Sequence, residues 1–100
     1  MADFHLTNAA KADLKDIGRY TQKRWDIVQR DQYLSMLNRC FQELAAEPFK
    51  GRDCSHIRDG YRKYRAGSHV IFYRQVAADT LEIVRILHSH MDMERHLSES

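Results

Sequence analysis

The stretch of sequence that decides the fold is residues 56–97, which read HIRDGYRKYRAGSHVIFYRQVAADTLEIVRILHSHMDMERHL. Three runs in it are rich in Val, Ile, Leu, Phe and Tyr, and turn residues separate them. These runs are Tyr61 to Ala66, His69 to Val76 and Thr80 to His88. Such a pattern is typical of antiparallel strands joined by hairpins. Gly67-Ser68 suits the first turn because glycine adopts positive φ without strain, and Ala77 to Asp79 suits the second.

The residues before this stretch predict an amphipathic helix. Thr7 offers a side-chain oxygen as its N-cap, and Asn8 serves if the boundary shifts by one residue. Up to Trp25, residues that suit a buried stripe recur at steps of three and four. They are Ala10, Leu14, Ile17, Tyr20 and Thr21. Gly18 weakens this helix by about 1 kcal/mol relative to Ala, unless close packing requires the missing side chain.

A second helix is predicted from about Ile27 to Glu47. Its apolar positions form a face wide enough to pack on both the first helix and the sheet. They are Tyr33, Leu34, Met36, Leu37, Cys40, Phe41 and Leu44. Pro48 ends the helix, because proline cannot donate the helical hydrogen bond and restricts the residue before it. The short break at Trp25-Asp26 makes the two helices a hairpin.

These elements predict one α+β domain over residues 1–100, in the order β-α-α-β-β-β. The first strand is Phe4 to Leu6, and the strand with which it pairs stays open. Phe49 to Ile57 is predicted as a loop, and Met91 to Leu97 as one or two turns of terminal helix. The helical hairpin covers one face of a small, mostly antiparallel sheet. The other face is then left without a cover of its own.

Composition and cysteine usage limit the class of protein. With 43% hydrophobic and 30% charged residues, and no apolar run as long as a membrane span, a cytoplasmic globular protein without a membrane partner is expected. Cys40 and Cys54 lack metal-ligand spacing and are expected to be free thiols. Cys40 lies on the apolar helix face and should be buried, whereas Cys54 lies in a polar loop and should be more accessible.

No set of residues predicts catalysis. His88, His90 and His96 lack further ligands at a familiar metal spacing, so neither a metal nor a cofactor is predicted. Cys54 and His56 are a formal nucleophile pair, but nothing around them resembles a hydrolase signature. The scattered glycines do not form a phosphate-binding loop.

Basic and aromatic side chains predict a binding surface. Residues 50–74 hold seven basic and two acidic residues, although the net charge of the chain is only +2. Strand alternation places Arg62 and Tyr64 on one sheet face, and Tyr61 and Arg65 on the other. Three interpretations stay open: a solvated strand face, an acidic protein partner, or single-stranded RNA. The predicted partner-binding residues are Tyr33, Met36, Arg58, Tyr61, Arg62, Tyr64, Arg65, Arg74, Arg85 and His88.

One ordered set of residues runs through nearly the whole chain. It comprises Asp13-Leu14, Ile17, Tyr20, Trp25, Pro48 to Arg52, Gly60 to Arg62, Gly67 to Arg74, Arg85 to His88, Met91-Asp92 and Arg95 to Leu97. In this order the residues resemble the ParE toxins of bacterial type II toxin–antitoxin systems. The resemblance implies a RelE/ParE-like fold and a toxin that binds and blocks DNA gyrase without catalytic chemistry of its own.

The resemblance also implies a ParD-like antitoxin, whose flexible, acidic C-terminal tail wraps the toxin. The apolar face of the second helix, with Tyr33, Met36 and Cys40, is wider than one packing surface requires. An amphipathic tail, with apolar and acidic residues, matches both this apolar helix face and the basic residues of the strand half. We therefore expect the tail to contact the helical hairpin and the strand-half arginines. These are Arg58, Arg62, Arg65 and Arg74.

The RelE toxins are the alternative, since they share this fold but cut mRNA on the ribosome. Their chemistry needs a base, an acid and an anion-stabilising group within reach of one another. Here Cys54-Ser55 stands where a carboxylate is wanted and Val70 where an arginine is wanted, whereas Arg85 and His88 fit. The sequence therefore favours a non-enzymatic gyrase inhibitor without sequence-specific nucleic-acid binding. A pure partner-binding module or a decayed toxin also stays open.

Overall fold

Two α-helices and five strands make up most of residues 2–89, the part of the chain that the computed structural model describes. In chain order they are β1 (Asp3–Leu6), α1 (Asn8–Arg24), α2 (Ile27–Ala46), a 3-10 turn (Pro48–Lys50), β2 (Arg52–Asp53), β3 (Arg62–Ala66), β4 (His69–Ala77) and β5 (Thr80–His88). The α+β class and the predicted order are confirmed, with β2 added. The terminal helix predicted for Met91 to Leu97 lies outside the described residues.

Both helices begin at side-chain caps. The Thr7 hydroxyl accepts a hydrogen bond from the backbone N–H of Ala10 at 3.0 Å, as the sequence predicts. The Asp26 carboxylate accepts one from the backbone N–H of Gln29 at 2.7 Å and starts α2. Such caps satisfy N–H groups that have no partner within the helix. In the described range 2–89, neither helix is both long and apolar enough to cross a membrane.

The prediction for Tyr20 is wrong, because its side chain is 66% exposed. On this part of α1 the buried positions are Ile17, Gly18 and Thr21. Each helical residue is turned by roughly 100° from the last, so Tyr20 falls outside the stripe that those three residues define. A spacing of three and four residues alone does not show whether a residue lies at the centre of the buried stripe or at its exposed margin.

The sheet has the strand order β1-β5-β4-β3-β2. β1 pairs with β5 in parallel, which answers the question left open by the sequence, and the other pairs are antiparallel. β2 lies within the segment predicted as a loop, where Arg52 pairs with Lys63 and Asp53 with Arg62. That part of the prediction is wrong, because a strand of two charged residues carries no pattern of its own. Gly67 forms the β3–β4 turn with a φ of 60°, as predicted.

Each sheet face carries its own apolar cluster. The helical face packs against α1 and α2 through residues that include Leu37, Phe41, Leu44, Ile71, Tyr73 and Ile83. On the opposite face the buried cluster comprises Cys54, Tyr61, Val70, Phe72, Val84 and Leu87. The expected bare second face is therefore wrong. The loop from Cys54 to Tyr61 closes on itself, with the Cys54 N–H bonded to the Tyr61 carbonyl at 2.9 Å, and Ile57 packs on the cluster.

The burial of the two cysteine thiols is the reverse of what the sequence predicts. Cys54 is fully buried in the second-face cluster, whereas Cys40 is only partly buried at the edge of α2. Cys54 follows a polar loop sequence, but its side chain turns inward where that loop meets the sheet. Cys40 lies 3.9 Å from the Met36 sulfur, at the margin of the helical core. Burial raises the pKa of both thiols.

Candidate partner-binding site

The ten predicted partner-binding residues do not share one surface. Those on the helical face are Tyr33, Met36, Arg62, Tyr64 and His88. Those on the opposite face are Tyr61, Arg65 and Arg74. Arg58 is exposed in the loop before β3, and Arg85 contacts α1. The predicted alternation along β3 is confirmed. The set therefore divides into separate clusters.

The first cluster joins α2 to the β3–β4 turn and the end of β5. The Tyr33 hydroxyl accepts a hydrogen bond from the Ser68 N–H at 3.1 Å and lies 2.6 Å from Nδ1 of His69. The rings of His69 and His88 meet edge to face at 5.4 Å. Burial lowers the pKa of His69 and the charge of His88 lowers it further, against an opposing effect of Asp13.

Burial also raises the pKa of Tyr33, so the phenol is protonated at neutral pH. The Ser68 N–H donates to the Tyr33 oxygen, and the Tyr33 hydroxyl also lies within hydrogen-bond distance of Nδ1 of His69 and of the Ala66 carbonyl, at 2.6 and 3.4 Å. His69 is a member of this cluster that the sequence analysis missed. Its only sequence signal was its position two residues after Gly67, at the first pair of the hairpin.

These residues line a cleft of about 320 Å³, which we call the hairpin cleft. It is lined by Tyr20, Thr21, Arg24, Trp25, Gln29, Tyr33, Ser68, His69 and His88. Tyr20 and Trp25 are each 66% exposed, and the Arg24 guanidinium lies 5.7 Å from the centre of the Trp25 ring. The cleft thus combines aromatic walls with one cation and two imidazoles. The cleft suits a ligand whose apolar part contacts the aromatic rings and whose negative charge lies close to Arg24.

The second cluster lies at the other end of β3. The Arg62 guanidinium sits 4.8 Å from the centre of the Phe49 ring and donates to the Gly51 carbonyl at 2.9 Å. Tyr73 donates its hydroxyl hydrogen to the Pro48 carbonyl at 2.8 Å and accepts from the Gly51 N–H at 2.9 Å. Burial raises the pKa of Tyr73. Arg62 and Tyr73 thereby attach residues 48–51 to the sheet.

A cavity of about 210 Å³ opens beside this second cluster. Its lining includes Asp53, Ser55, Gly60 and Gln75. Asp53 accepts hydrogen bonds from the backbone and hydroxyl of Ser55 at 2.8 and 2.6 Å, and these bonds lower its pKa. Nearby, the Lys50 ammonium lies 5.5 Å from the centre of the Tyr64 ring. Asp53 keeps its charge here and opposes Arg62, so the cavity is not a simple anion site.

The remaining predicted residues differ in how accessible they are. Tyr61 is 7% exposed and belongs to the second-face cluster, so its ring is not available to a partner. Arg74 forms an ion pair with Glu82 at 2.9 Å, and Glu82 also contacts His5 at 3.1 Å. Arg65 is exposed, with a long contact of 3.4 Å to the Gly67 carbonyl. Of these, Arg65 is the cation best placed to meet a partner.

Arg85 is held inside the molecule by Asp13 of α1. The Asp13 carboxylate accepts hydrogen bonds from Nε and Nη2 of Arg85 at 2.8 and 3.0 Å. It also accepts the backbone N–H of Ile86 at 3.0 Å. The bonds from Asp13 raise the pKa of Arg85. The two charged residues are 72 positions apart, so no local pattern in the sequence could have paired them.

The structure separates the residues that a RelE-type nuclease would need together. Cys54 and Val70 lie in the apolar cluster of the second face. His88 lies on the helical face beside His69, and Arg85 is paired with Asp13. Among residues 2–89, no three His, Cys, Asp or Glu side chains gather as metal ligands.

The sequence is similar to known toxins along nearly its whole length. Residues 4–93 match the family described as ParE toxin of type II toxin-antitoxin system, parDE. The chain belongs to the ParE toxin family. It is 46% identical to Toxin ParE1 of Mycobacterium tuberculosis (strain CDC 1551 / Oshkosh) over 92 residues, which are 92% of this chain and 94% of that protein. The resemblance to ParE toxins seen in the sequence is confirmed.

Other ParE relatives agree in length as well as in sequence. The chain is 38% identical to Toxin ParE1 of Caulobacter vibrioides (strain ATCC 19089 / CIP 103742 / CB 15) over 97 residues, covering 97% of this chain and 99% of that one. It is 32% identical to Toxin ParE of Escherichia coli over 99 residues, covering 99% and 96%. The chain is thus a ParE toxin of a type II toxin–antitoxin system.

The fold is also that of a solved ParE-type structure. A structure of the chromosomal ParDE TA system from P. aeruginosa superposes with a TM-score of 0.72, covering 88% of this chain and 95% of the matched chain. At 18% sequence identity this likeness supports the fold alone. The predicted RelE/ParE-like architecture is confirmed.

Proposed function

We propose that this ParE-family toxin inhibits DNA gyrase in the cytoplasm by binding it directly, without catalysing a reaction. The observation that carries the proposal is the burial of Cys54 and Val70 in an apolar cluster, at 0% and 7% exposure, where the nuclease branch would need an acid or base and an arginine. General acid–base cleavage requires such groups within hydrogen-bond reach of the substrate. Membership in the ParE family supports the same target.

A two-assay experiment tests this proposal. We expect purified toxin to inhibit supercoiling by purified DNA gyrase and to leave the mRNA in a cell-free translation mix intact. The control is toxin mixed beforehand with the small protein encoded by the adjacent reading frame, which should restore supercoiling. Ribosome-dependent mRNA cleavage with unaffected gyrase would instead assign the chain to the RelE type of activity.

We further propose that a ParD-like antitoxin neutralises the toxin with an acidic tail. β2 pairs with only Arg62 and Lys63, so it covers the first part of β3 and leaves the edge at Tyr64 to Ala66 to other partners. An extended tail that adds to this edge directs alternate side chains to both sheet faces. It would then meet Tyr64 on one face and Arg65 on the other. Edge addition thus explains how one tail could contact predicted residues on both faces of β3.

Charge reversal at the exposed arginines tests the tail proposal. Arg58→Glu combined with Arg65→Glu should weaken binding of the antitoxin about tenfold and flatten the salt dependence of its association rate, because exposed charges act mainly on encounter. The matched control is Lys11→Glu with Lys15→Glu, two exposed cations of α1. Equal affinity and equal salt response in the two double variants, measured by surface plasmon resonance, would refute the electrostatic contact.

A further inference from the structure

We propose that the tip of the helical hairpin is the surface with which the toxin docks onto its target, by receiving an acidic target segment that carries a large apolar anchor. The hairpin tip consists of Tyr20, Lys23, Arg24, Trp25, Ile27 and Val28. This inference rests on the proposed function, since it assigns a surface to the gyrase that the toxin binds. It assigns target binding to the helical hairpin, whereas the antitoxin tail is assigned to the β3 edge.

Exposed apolar surface is concentrated at this tip. Tyr20 and Trp25 are each 66% exposed, Val28 is 65% exposed and Ile27 is 52% exposed. Elsewhere among residues 2–89, only Phe49 and Val76 are large hydrophobic side chains with comparable exposure. Soluble proteins seldom leave contiguous apolar patches open unless the patch binds something. Neither helix needs these side chains for its own packing, because the helical core is closed by other residues.

The hairpin tip borders the hairpin cleft. Tyr20 and Trp25 form the outer wall of the hairpin cleft, and Tyr33, His69 and His88 lie deeper in it. At about 320 Å³, the cleft is large enough for one aromatic or long aliphatic side chain with some backbone. Binding energy at protein interfaces concentrates where such an anchor fills a pocket, and Trp and Tyr are the residues most enriched there. The apolar surface extends beyond the cleft to Ile27 and Val28, which favours a protein segment over a small ligand.

The charge around the tip selects an acidic partner. Within residues 2–89, none of the cations Arg19, Lys23 and Arg24 forms an ion pair. Asp31 is paired with Arg30 at 2.9 Å, and Asp26 accepts the N-cap hydrogen bond of α2 but keeps its charge. Lys23 and Arg24 against Asp26 leave residues 20–28 with a net charge of +1. Complementary charge across an interface accelerates encounter and excludes partners of the wrong sign.

The tip variants are chosen to leave the fold intact. Trp25→Ala with Tyr20→Ala removes two exposed rings, and Lys23→Gln with Arg24→Gln removes two exposed charges without reversing them at a helix C-terminus. Val76→Ala is the matched control, because it trims an apolar side chain that is 44% exposed on β4, at the end of that strand away from His69 and the hairpin cleft. Circular dichroism and thermal unfolding establish that each variant folds as the wild type does.

Affinities for immobilised DNA gyrase and for the adjacent-gene antitoxin are then measured side by side. We expect the aromatic double variant to bind gyrase about thirtyfold or more weakly and to lose supercoiling inhibition, with antitoxin affinity within about threefold of wild type. The charge variant should lower the association rate with gyrase severalfold at low salt. The Val76→Ala control should bind gyrase as the wild type does.

Each other result overturns the inference in a distinct way. Wild-type affinity of the tip variants for gyrase would place the target surface elsewhere and leave the proposed function standing. Loss of antitoxin affinity with gyrase affinity retained would assign the tip to the antitoxin. Failure of the wild-type toxin itself to bind or inhibit gyrase would refute the proposed function, and this inference with it.

Discussion

Asp13→Ala is expected to destabilise the folded chain by about 3 kcal/mol, the cost of leaving a buried charge without its partner. The Asp13 and Arg85 side chains are only 13% and 19% exposed, and the carboxylate accepts three hydrogen bonds, from Nε and Nη2 of Arg85 and from the Ile86 N–H. The substitution removes all three bonds at once. The guanidinium and a backbone donor of β5 then remain partly desolvated.

The measurement is the free energy of unfolding in urea, with Glu82→Ala as the matched control. Glu82 pairs with Arg74 at 2.9 Å and contacts His5 at 3.1 Å, but the Arg74 and His5 side chains are 47% and 52% exposed, so neither is left desolvated and the loss should cost no more than about 1 kcal/mol. Arg85→Ala belongs to the same cycle and should cost less than Asp13→Ala, because it leaves the carboxylate bonded to Ile86. Equal, small losses at Asp13 and Glu82 would show that α1 does not depend on this pair.

The Asp13–Arg85 pair also shows where reasoning from strand alternation fails. In the β4–β5 register Phe72 pairs with Arg85 but Tyr73 pairs with Ile83, so Val84 is an extra residue. A bulge of this kind re-aims the side chains around it, and the sequence gives no sign of it. Arg85 was predicted as a partner-binding residue because it belongs to the set of basic and aromatic residues in the strand half of the chain. Because of the bulge, and because β1 ends at Leu6, the Arg85 side chain reaches Asp13 of α1 instead.

Local signals predicted most of the architecture. The apolar steps of α2, the Thr7 cap, the Pro48 stop and the positive φ of Gly67 each depend on neighbouring residues, and each prediction is confirmed. The features that the sequence left open or misplaced depend on residues far apart in the chain. The parallel partner of β1 and the inward turn of Cys54 are set by how the second half folds back, which no short window of sequence contains.

The sequence predicted some residues of the candidate site but not how they are arranged in space. Tyr33 and His88 were predicted to bind a partner and do line the hairpin cleft, but their neighbour His69 was overlooked. Trp25 was recognised as the break between helices, not as an exposed side chain. An apolar residue in a helix–helix connection is usually assigned to the core. Its 66% exposure follows from the position of the connection at the tip, where no other helix or strand of residues 2–89 covers it.

Gly51→Ala is expected to destabilise the protein by about 2–3 kcal/mol, because the site has no room for a methyl group. Gly51 is buried and lies between the 3-10 turn and β2 in the chain. A Cβ built there lies 2.7 Å from the Lys63 carbonyl oxygen and 2.9 Å from Cε1 of Tyr73, and it overlaps the Tyr73 hydroxyl. The Lys63 oxygen belongs to the sheet backbone and cannot move aside cheaply.

The displaced segment would also lose the bonds that attach it to the sheet. The Gly51 N–H donates to the Tyr73 hydroxyl and the Gly51 carbonyl accepts from Arg62, both at 2.9 Å. Moving residues 48–51 outward to admit the methyl group strains or breaks both bonds, and Arg62 loses the Phe49 ring on which it rests. The damage should therefore extend to the cavity beside β3, while the hairpin cleft at the other end of the strand is unaffected.

Gly18→Ala is the matched control, with an effect of opposite sign. A Cβ at Gly18 lies 3.5 Å from Cδ1 of Leu34, an ordinary packing distance, so close approach of the helices does not require this glycine. Alanine in the middle of α1 should stabilise the fold by about 0.5–1 kcal/mol. Thermal unfolding should thus separate the two variants by roughly 10 °C or more, with Gly51→Ala below the wild type and Gly18→Ala above it. A Gly51→Ala protein that melts at or above the wild-type temperature would show that residues 48–51 move outward at little energetic cost. Tyr73 and Arg62 would then not fix this segment to the sheet.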